Sequence, residues 1–254
     1  MNKWTGKVAV VTGASSGIGS AIVKDLAKRG VNVIGLARRV ELIEEISNSL
    51  GEVLGIIYPR YCDVSDLNSI KETFKWIEEK FGIINILVNN AGIQSSTVTL
   101  DESNVGTENI NKVIDTNFTG AVHCAREGIR LIKKSNDYGV VININSVLGH
   151  SIPFGEFSHS VYPATKYALK AISETLRQEL IVQNNMKIRV TNLSPGCVKT
   201  NIFLAAGVDP NADVFKVLPH LNVENISQAV LYILEAPYGV NITELTIKPV
   251  GEKF

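Results

Sequence analysis

An excess of charge of either sign is missing from this chain. Its 25 Lys and Arg residues balance 25 Asp and Glu, so 254 residues carry no net formal charge. Without a basic run to break that balance, nucleic acid is excluded as the main partner. Cysteine is scarce too. Cys62, Cys124 and Cys197 form an odd, scattered set, which reads as reduced thiols in an intracellular protein rather than a disulfide framework. No apolar run approaches the ~20 residues that span a bilayer. Met1-Asn2-Lys3-Trp4-Thr5-Gly6 passes straight into a strand-like run, leaving no room for a signal peptide. The expectation by default is a cytoplasmic protein with no membrane span. No linker, repeat or low-complexity tract divides the chain, so residues 1–254 are expected to form one domain. With 45% hydrophobic and 20% charged residues, it has material for a sizeable core.

What is present is a strict alternation. Short β-branched runs at 7–12, 31–37, 55–62, 84–88, 140–145, 187–193 and 245–247 read as strands. Between them, helical periodicity covers 21–30, 40–50, 67–81, 110–134, 161–183 and 223–234. Alternation of this kind predicts an α/β fold, a doubly wound parallel sheet of about seven strands with helices on both faces. Two irregular segments, 149–160 and 199–220, are longer than a connection needs, and such loops are usually functional.

Directly after the first strand comes Gly13-Ala14-Ser15-Ser16-Gly17-Ile18-Gly19. Glycines there remove side chains that would block a pyrophosphate from backbone N–H groups at a helix start. The spacing is G-x-x-x-G-x-G, not the general G-x-G-x-x-G fingerprint. At the end of strand two, a site for NAD places an acidic residue on the ribose hydroxyls. This chain has Leu36-Ala37-Arg38-Arg39 instead. Two guanidinium groups match a 2′-phosphate, although they also fit two solvated arginines. Cations at a helix start are badly placed for the dipole, so NADP(H) is the expected cofactor.

Tyr162-Pro163-Ala164-Thr165-Lys166 puts a phenol and an ammonium one helical turn apart. A nearby cation favours the phenolate and would lower the phenol's pKa, making an acid/base suited to neutral pH. Taken alone, the pair also fits an ordinary amphipathic helix with a surface Lys. Pro163 is tolerated only in a first turn, which places the helix start at 161–163.

With Asn89-Asn90-Ala91-Gly92, Asn117 in Asp115-Thr116-Asn117-Phe118, Ser146 after strand five and Pro195-Gly196, these motifs resemble the short-chain dehydrogenase/reductase family over nearly the whole chain. Within it, the likeness is to NADP-dependent farnesol dehydrogenases of insects and a related vertebrate ketosteroid reductase. It is carried by Trp4, the Leu36–Arg39 stretch, Ile142-Asn143-Ile144-Asn145-Ser146, Gly149-His150 and Ala164-Thr165-Lys166-Tyr167-Ala168. Pro163 departs from the family, which usually has a small polar residue there.

The resemblance implies that Tyr162 is the general acid/base and that Lys166 lowers its pKa and bonds the nicotinamide ribose. It implies that Ser146 donates to the developing oxyanion and that Asn117 holds a relay water. It places Ser15, Ser16 and Ile18 with the glycines on the phosphates, and Asp63 and Val64 at the adenine. Asp63 could equally cap the following helix. Asn90, Ala91 and Gly92 would line the ribose, while Asn89 braces strands. Pro195, Gly196, Val198 and Thr200 would pass the nicotinamide carboxamide. No metal is implied, and the family usually forms dimers or tetramers through its long helices.

Ile152, Phe154, Phe157, Ile202, Phe203, Leu204, Val214, Phe215, Val217 and Leu218 crowd the two long loops. They suggest an apolar cleft, or else a patch for subunit contact. Phe154, Phe157 and Phe203 are expected substrate contacts beside Ser146 and Tyr162. Without a cationic anchor, such a cleft suits a lipophilic alcohol or carbonyl: a farnesol-like isoprenoid first, a steroid second. A nucleotide-binding protein without turnover is the other class to keep open, although all four residues of the catalytic set are present.

Overall fold

Apolar runs alternating with amphipathic helices bury both faces only as a parallel sheet between two helical layers. The computed structural model describes residues 2–94, 107–154, 159–202, 215 and 218–253. Within them, β1 (Val8–Thr12), β2 (Asn32–Ala37), β3 (Ile57–Tyr61), β4 (Ile86–Asn89), β5 (Gly139–Ile144), β6 (Ile188–Pro195) and β7 (Glu244–Ile247) form one sheet, ordered β3-β2-β1-β4-β5-β6-β7. Every pairing is parallel, with Val10 of β1 opposite Ile34 on one side and Leu87 on the other.

Side chains along a strand alternate between faces. Ala9 and Val11 pack towards α1 (Gly17–Lys28), α2 (Val40–Ser49) and α7 (Val223–Glu235), meeting Ile22, Leu26, Ile43, Ile226 and Val230. Val10 packs towards α3 (Leu67–Phe81), α5 (Gly120–Lys134) and α6 (Tyr162–Val182), meeting Ile70, Phe74, Ile129, Ile132 and Leu180. Both layers are dry, so β1 has no polar face, and its sequence shows an unbroken apolar run. Several polar groups inside this core pair with one another, although Asn89 Oδ1, Asn85 Nδ2 and the Asn145 amide have no partner among the described residues. Asn89 Nδ2 donates to Asn143 Oδ1 at 2.9 Å, and Asn143 Nδ2 to Ser173 Oγ at 2.8 Å, bracing β4, β5 and α6. Each such bond contributes about 1 kcal/mol net, but a lone buried partner would cost more.

One element differs from expectation. The helix anticipated over 110–134 is α4 (Thr107–Ile114), a π-helical turn at Asp115–Thr119, then α5. The wider turn sits where Asn117 is drawn inward, and π-turns often mark functional positions. Strand order runs outward in opposite senses from β1 and β4. That divergence opens a crevice beyond their carboxyl ends, where open α/β sheets bind ligands.

Candidate functional site

The crevice is a cleft of about 340 Å³ whose walls include Gly13, Ser15, Ser16, Gly17 and Ile18, with Ala37, Arg38 and Arg39 at the end of β2. Gly13 and Gly17 have φ of +66° and +56°, conformations that glycine adopts without strain. A Cβ on Gly19 would collide with the Gly13 carbonyl. Ser16 caps α1 with no side-chain hydrogen bond, which leaves the first N–H groups of that helix open to the cleft. A cradle of bare backbone at an uncapped helix N-terminus has the donors and the shape for a diphosphate. Arg38 and Arg39 are exposed, and neither makes an ion pair among the described residues. Their guanidinium groups are therefore available to a phosphate.

The loop after β4 is strapped to this cradle. Thr12 Oγ1 accepts from the N–H groups of Asn90 (2.9 Å) and Ala91 (3.0 Å), and Asn90 Nδ2 donates to the carbonyls of Thr12 (2.9 Å) and Gly13 (3.2 Å). The Asn90 side chain thus faces the glycine loop, while the residue lines the cleft with Ala91 and Gly92. Asp63 and Val64 line it as well. Asp63 Oδ1 accepts from Ser65 N (3.0 Å) and Ser65 Oγ (2.7 Å), closing a local turn. It does not cap α3; Asp66 does, accepting from Asn68 N at 2.9 Å.

Asn117 is buried and both ends of its amide are used. Oδ1 accepts from Ile93 N and Nδ2 donates to Ile93 O, each at 2.8 Å, with Thr165 Oγ1 a further acceptor at 3.3 Å. The side chain pins the segment after Gly92, and Oδ1 keeps a second lone pair.

Tyr162 is the first residue of α6, and Pro163 falls in the first turn, as the sequence requires. Ser146 follows β5. Its Oγ accepts from Leu148 N at 3.1 Å, capping the 3-10 turn Val147–Gly149, and its hydroxyl bonds to the Tyr162 oxygen. Lys166 is buried one turn on, with Nζ donating to Ile144 O at 2.9 Å and lying 5.5 Å from the Tyr162 ring centroid. The electrostatics invert the expectation for the phenol. Burial pushes Tyr162 up to about 12, opposed only by the Ser146 hydrogen bond. Burial also pulls Lys166 down to about 8. Desolvation is the leading cause of both shifts.

Around the phenol lies a small apolar cluster of Val113, Leu148 and Tyr162, with Ile93, Val161 and Ile202 against it. Of the expected substrate contacts, Phe154 stands fully exposed, so it is not packed into a cleft wall. Phe157 and Phe203, with Leu204, Val214 and Val217, lie outside the described residues.

Pro195 ends β6, Gly196 follows it, and buried Val198 bridges to Leu221. Thr200, Asn201 and Ile202 form a cleft wall opposite Gly17. Ile93, Cys62, Thr116 and Asn201 also line the cleft and were not expected there. The strap at Thr12 was not expected either. Its only sequence signal is a hydroxyl at the carboxyl end of an otherwise apolar strand.

Residues 7–209 match the family model described as short chain dehydrogenase. The chain is similar to farnesol dehydrogenase of Aedes aegypti, 46% identical over 100% of both chains. It is 38% identical to dehydrogenase/reductase SDR family member 11 of Gallus gallus, over 98% of each. Among solved structures it resembles the alcohol dehydrogenase of the archaeon Thermococcus sibiricus complexed with 5-hydroxy-NADP. That likeness has a TM-score of 0.83 and 29% identity, and covers 98% of both chains.

Proposed function

The chain belongs to the short-chain dehydrogenase family and is an oxidoreductase, and from that premise we propose that it interconverts a lipophilic alcohol and its carbonyl with NADP(H). The observation that carries the reading is the buried Tyr162 phenol, bonded to Ser146 and one turn from Lys166, beside a glycine cradle with two arginines that have no ion pair among the described residues.

In this reading the open helix N-terminus and the Gly13–Gly19 turn take the diphosphate, and Arg38 and Arg39 the 2′-phosphate. Asp63 and Val64 take the adenine side, Asn90 to Gly92 the ribose, and Pro195, Gly196, Val198 and Thr200 the carboxamide. Bound there, NADP(H) supplies or takes up the hydride. Tyr162, held as a neutral phenol by burial, gives its proton to a substrate carbonyl oxygen, or takes it back from an alcohol. Ser146 Oγ accepts from Leu148 N–H, and its hydrogen, directed at the Tyr162 oxygen, turns to donate to the substrate oxygen when substrate binds. The Lys166 ammonium, 5.5 Å from the ring, stabilises the phenolate left behind. Asn117 acts by pinning Ile93.

Val113, Leu148, Ile93 and Ile202 give the reacting oxygen an apolar surround, with exposed Ile152 and Phe154 available to a longer substrate. With the similarity to an insect farnesol dehydrogenase, this favours an isoprenoid alcohol over a hydroxysteroid. The chain would work as a single cytoplasmic domain in a homodimer or homotetramer. No helix among the described residues is long and apolar enough to cross a membrane. The test is a screen of prenyl alcohols against hydroxysteroids, following NADPH absorbance. Turnover of the prenyl alcohols supports the reading. Turnover of the steroids alone replaces the substrate, and turnover of neither removes the assignment.

A further inference from the structure

Beyond β7 the chain turns back on itself. Glu252 N donates to Pro249 O at 3.2 Å, with Gly251 between them at φ +92°. That conformation favours glycine, and the turn aims the Glu252 side chain across the end of β6. There Oε1 accepts from Cys197 N at 2.7 Å. Gly196, one residue earlier, is fastened to β7 through Gly196 N and Ile247 O at 2.7 Å. A Cβ on Gly196 would collide with the Glu252 carboxylate. Glycine at 196 therefore lets a carboxylate reach the Cys197 amide. Oε2 is buried with no hydrogen-bond partner among the described residues, a costly state that a surface decoration would not adopt.

What the carboxylate holds leads directly to the cleft. Leu221 N donates to Cys197 O at 2.8 Å and Lys199 N to Leu221 O at 2.9 Å, carrying the chain through Val198. Three residues on from Cys197, Thr200 begins the wall of Thr200, Asn201 and Ile202, while Glu252 itself lines no part of the cleft.

We propose that Glu252 is a positioning residue for the cofactor cleft: its carboxylate clamps the Gly196–Cys197 turn and so sets where the wall from Val198 to Ile202 stands against NADP(H). The proposal rests on the reading of the cleft as an NADP(H) site. A second readout exists in the protein without cofactor. The Cys197 thiol is pushed up to about 11, first by burial and then by the negative charge of Glu252, so its reactivity reports whether the clamp is closed.

The experiment compares wild type with Glu252→Ala, Glu252→Gln and Gly196→Ala. Iodoacetamide alkylation of Cys197 is followed by peptide mass spectrometry in cofactor-free protein at mildly alkaline pH. NADPH affinity is titrated by fluorescence, and KM and kcat are measured separately. Glu252→Ala should alkylate about tenfold faster and bind NADPH about tenfold more weakly, with KM raised and kcat nearly kept, and Gly196→Ala should alkylate faster as its added methyl drives the Glu252 carboxylate away. Glu252→Gln keeps an acceptor at Oε1 and should bind NADPH within about threefold of wild type. Unchanged NADPH affinity in Glu252→Ala overturns the clamp, whether or not alkylation quickens. If Glu252→Ala does not fold, Glu252→Asp, whose shorter side chain withdraws the carboxylate from Cys197 N, is judged on the same criteria. A wild-type protein that binds no NADP(H) overturns the reading of the cleft itself. Binding that Glu252→Ala leaves intact overturns only the clamp.

Discussion

The two walls of the site are built on opposite principles. At the glycine cradle, function comes from side chains that are absent, because backbone N–H groups and a collision-free Gly19 make the surface. At the Ser146–Tyr162–Lys166 corner it comes from polar side chains that are present, with Tyr162 and Lys166 buried and Ser146 half-buried. Residue type alone dictates the shape of the first wall. In the second, the surroundings dictate the protonation state, and they move Tyr162 opposite to the direction its neighbouring cation suggests. Spacing gives the location of an acid/base; burial gives its charge.

Breaking the buried wall should have the larger effect. Removing the phenolic oxygen with Tyr162→Phe deletes the proton donor and should lower kcat by about 10³-fold while NADPH still binds, read by steady-state kinetics beside a binding titration. Breaking the cradle with Gly19→Val drives side-chain atoms into the Gly13 carbonyl. NADPH affinity should fall by about 10²-fold, and stability by about 1–3 kcal/mol, checked by fluorescence titration and urea unfolding. Arg38→Ala tests the charged rim at the end of β2, on the far side of the cradle from the buried corner. NADPH affinity should drop about tenfold with NADH affinity unchanged, the expected loss for one charge-assisted bond.

The protonation contrast has its own signature. Lys166 is depressed to about 8 from 10.5 in water, so between those values the unfolded chain binds a proton that the folded one does not. Stability therefore rises with pH across that window, by an amount on the order of 3 kcal/mol. Lys166→Met should abolish the rise in urea melts taken at successive pH values. Tyr162 has the opposite sign. Raised to about 12, it withdraws stability as pH climbs from 10 to 12, and Tyr162→Phe should flatten that fall. The smallest expected effect belongs to the brace of β4, β5 and α6 behind the buried wall. Ser173→Ala unpairs Asn143 Nδ2 and should cost about 1–2 kcal/mol of stability with little change in kcat.

The sheet was legible because β1 is dry on both faces, so its composition alone reports its burial. The glycine loop was legible for a similar reason, since a position that must lack a side chain can be occupied by only one residue type. Pro163 marked the start of α6 because proline permits few alternatives. What stayed hidden depends on partners distant in sequence. Asn117 shows as a poor helix residue, but its amide is engaged by Ile93 across the site, and the π-turn that brings it there has no local sequence pattern. Asp63 and Asp66 are chemically equivalent cap candidates, and only the backbone geometry chose Asp66. The clustering of aromatics near Phe154 suggested a cleft wall, yet Phe154 is exposed, because composition does not tell which way a loop residue points.

In the proposed reading the two walls serve one transfer, a hydride delivered to a carbonyl that is protonated from the buried corner. Reaction of a prenyl aldehyde with NADPH carrying deuterium at the transferable position tests this most directly. Deuterium at the alcohol carbon, with NADPH clearly preferred over NADH and the product formed about 10³-fold more slowly by Tyr162→Phe, is the expected result. Unlabelled alcohol, or equal rates in wild type and Tyr162→Phe, would contradict it.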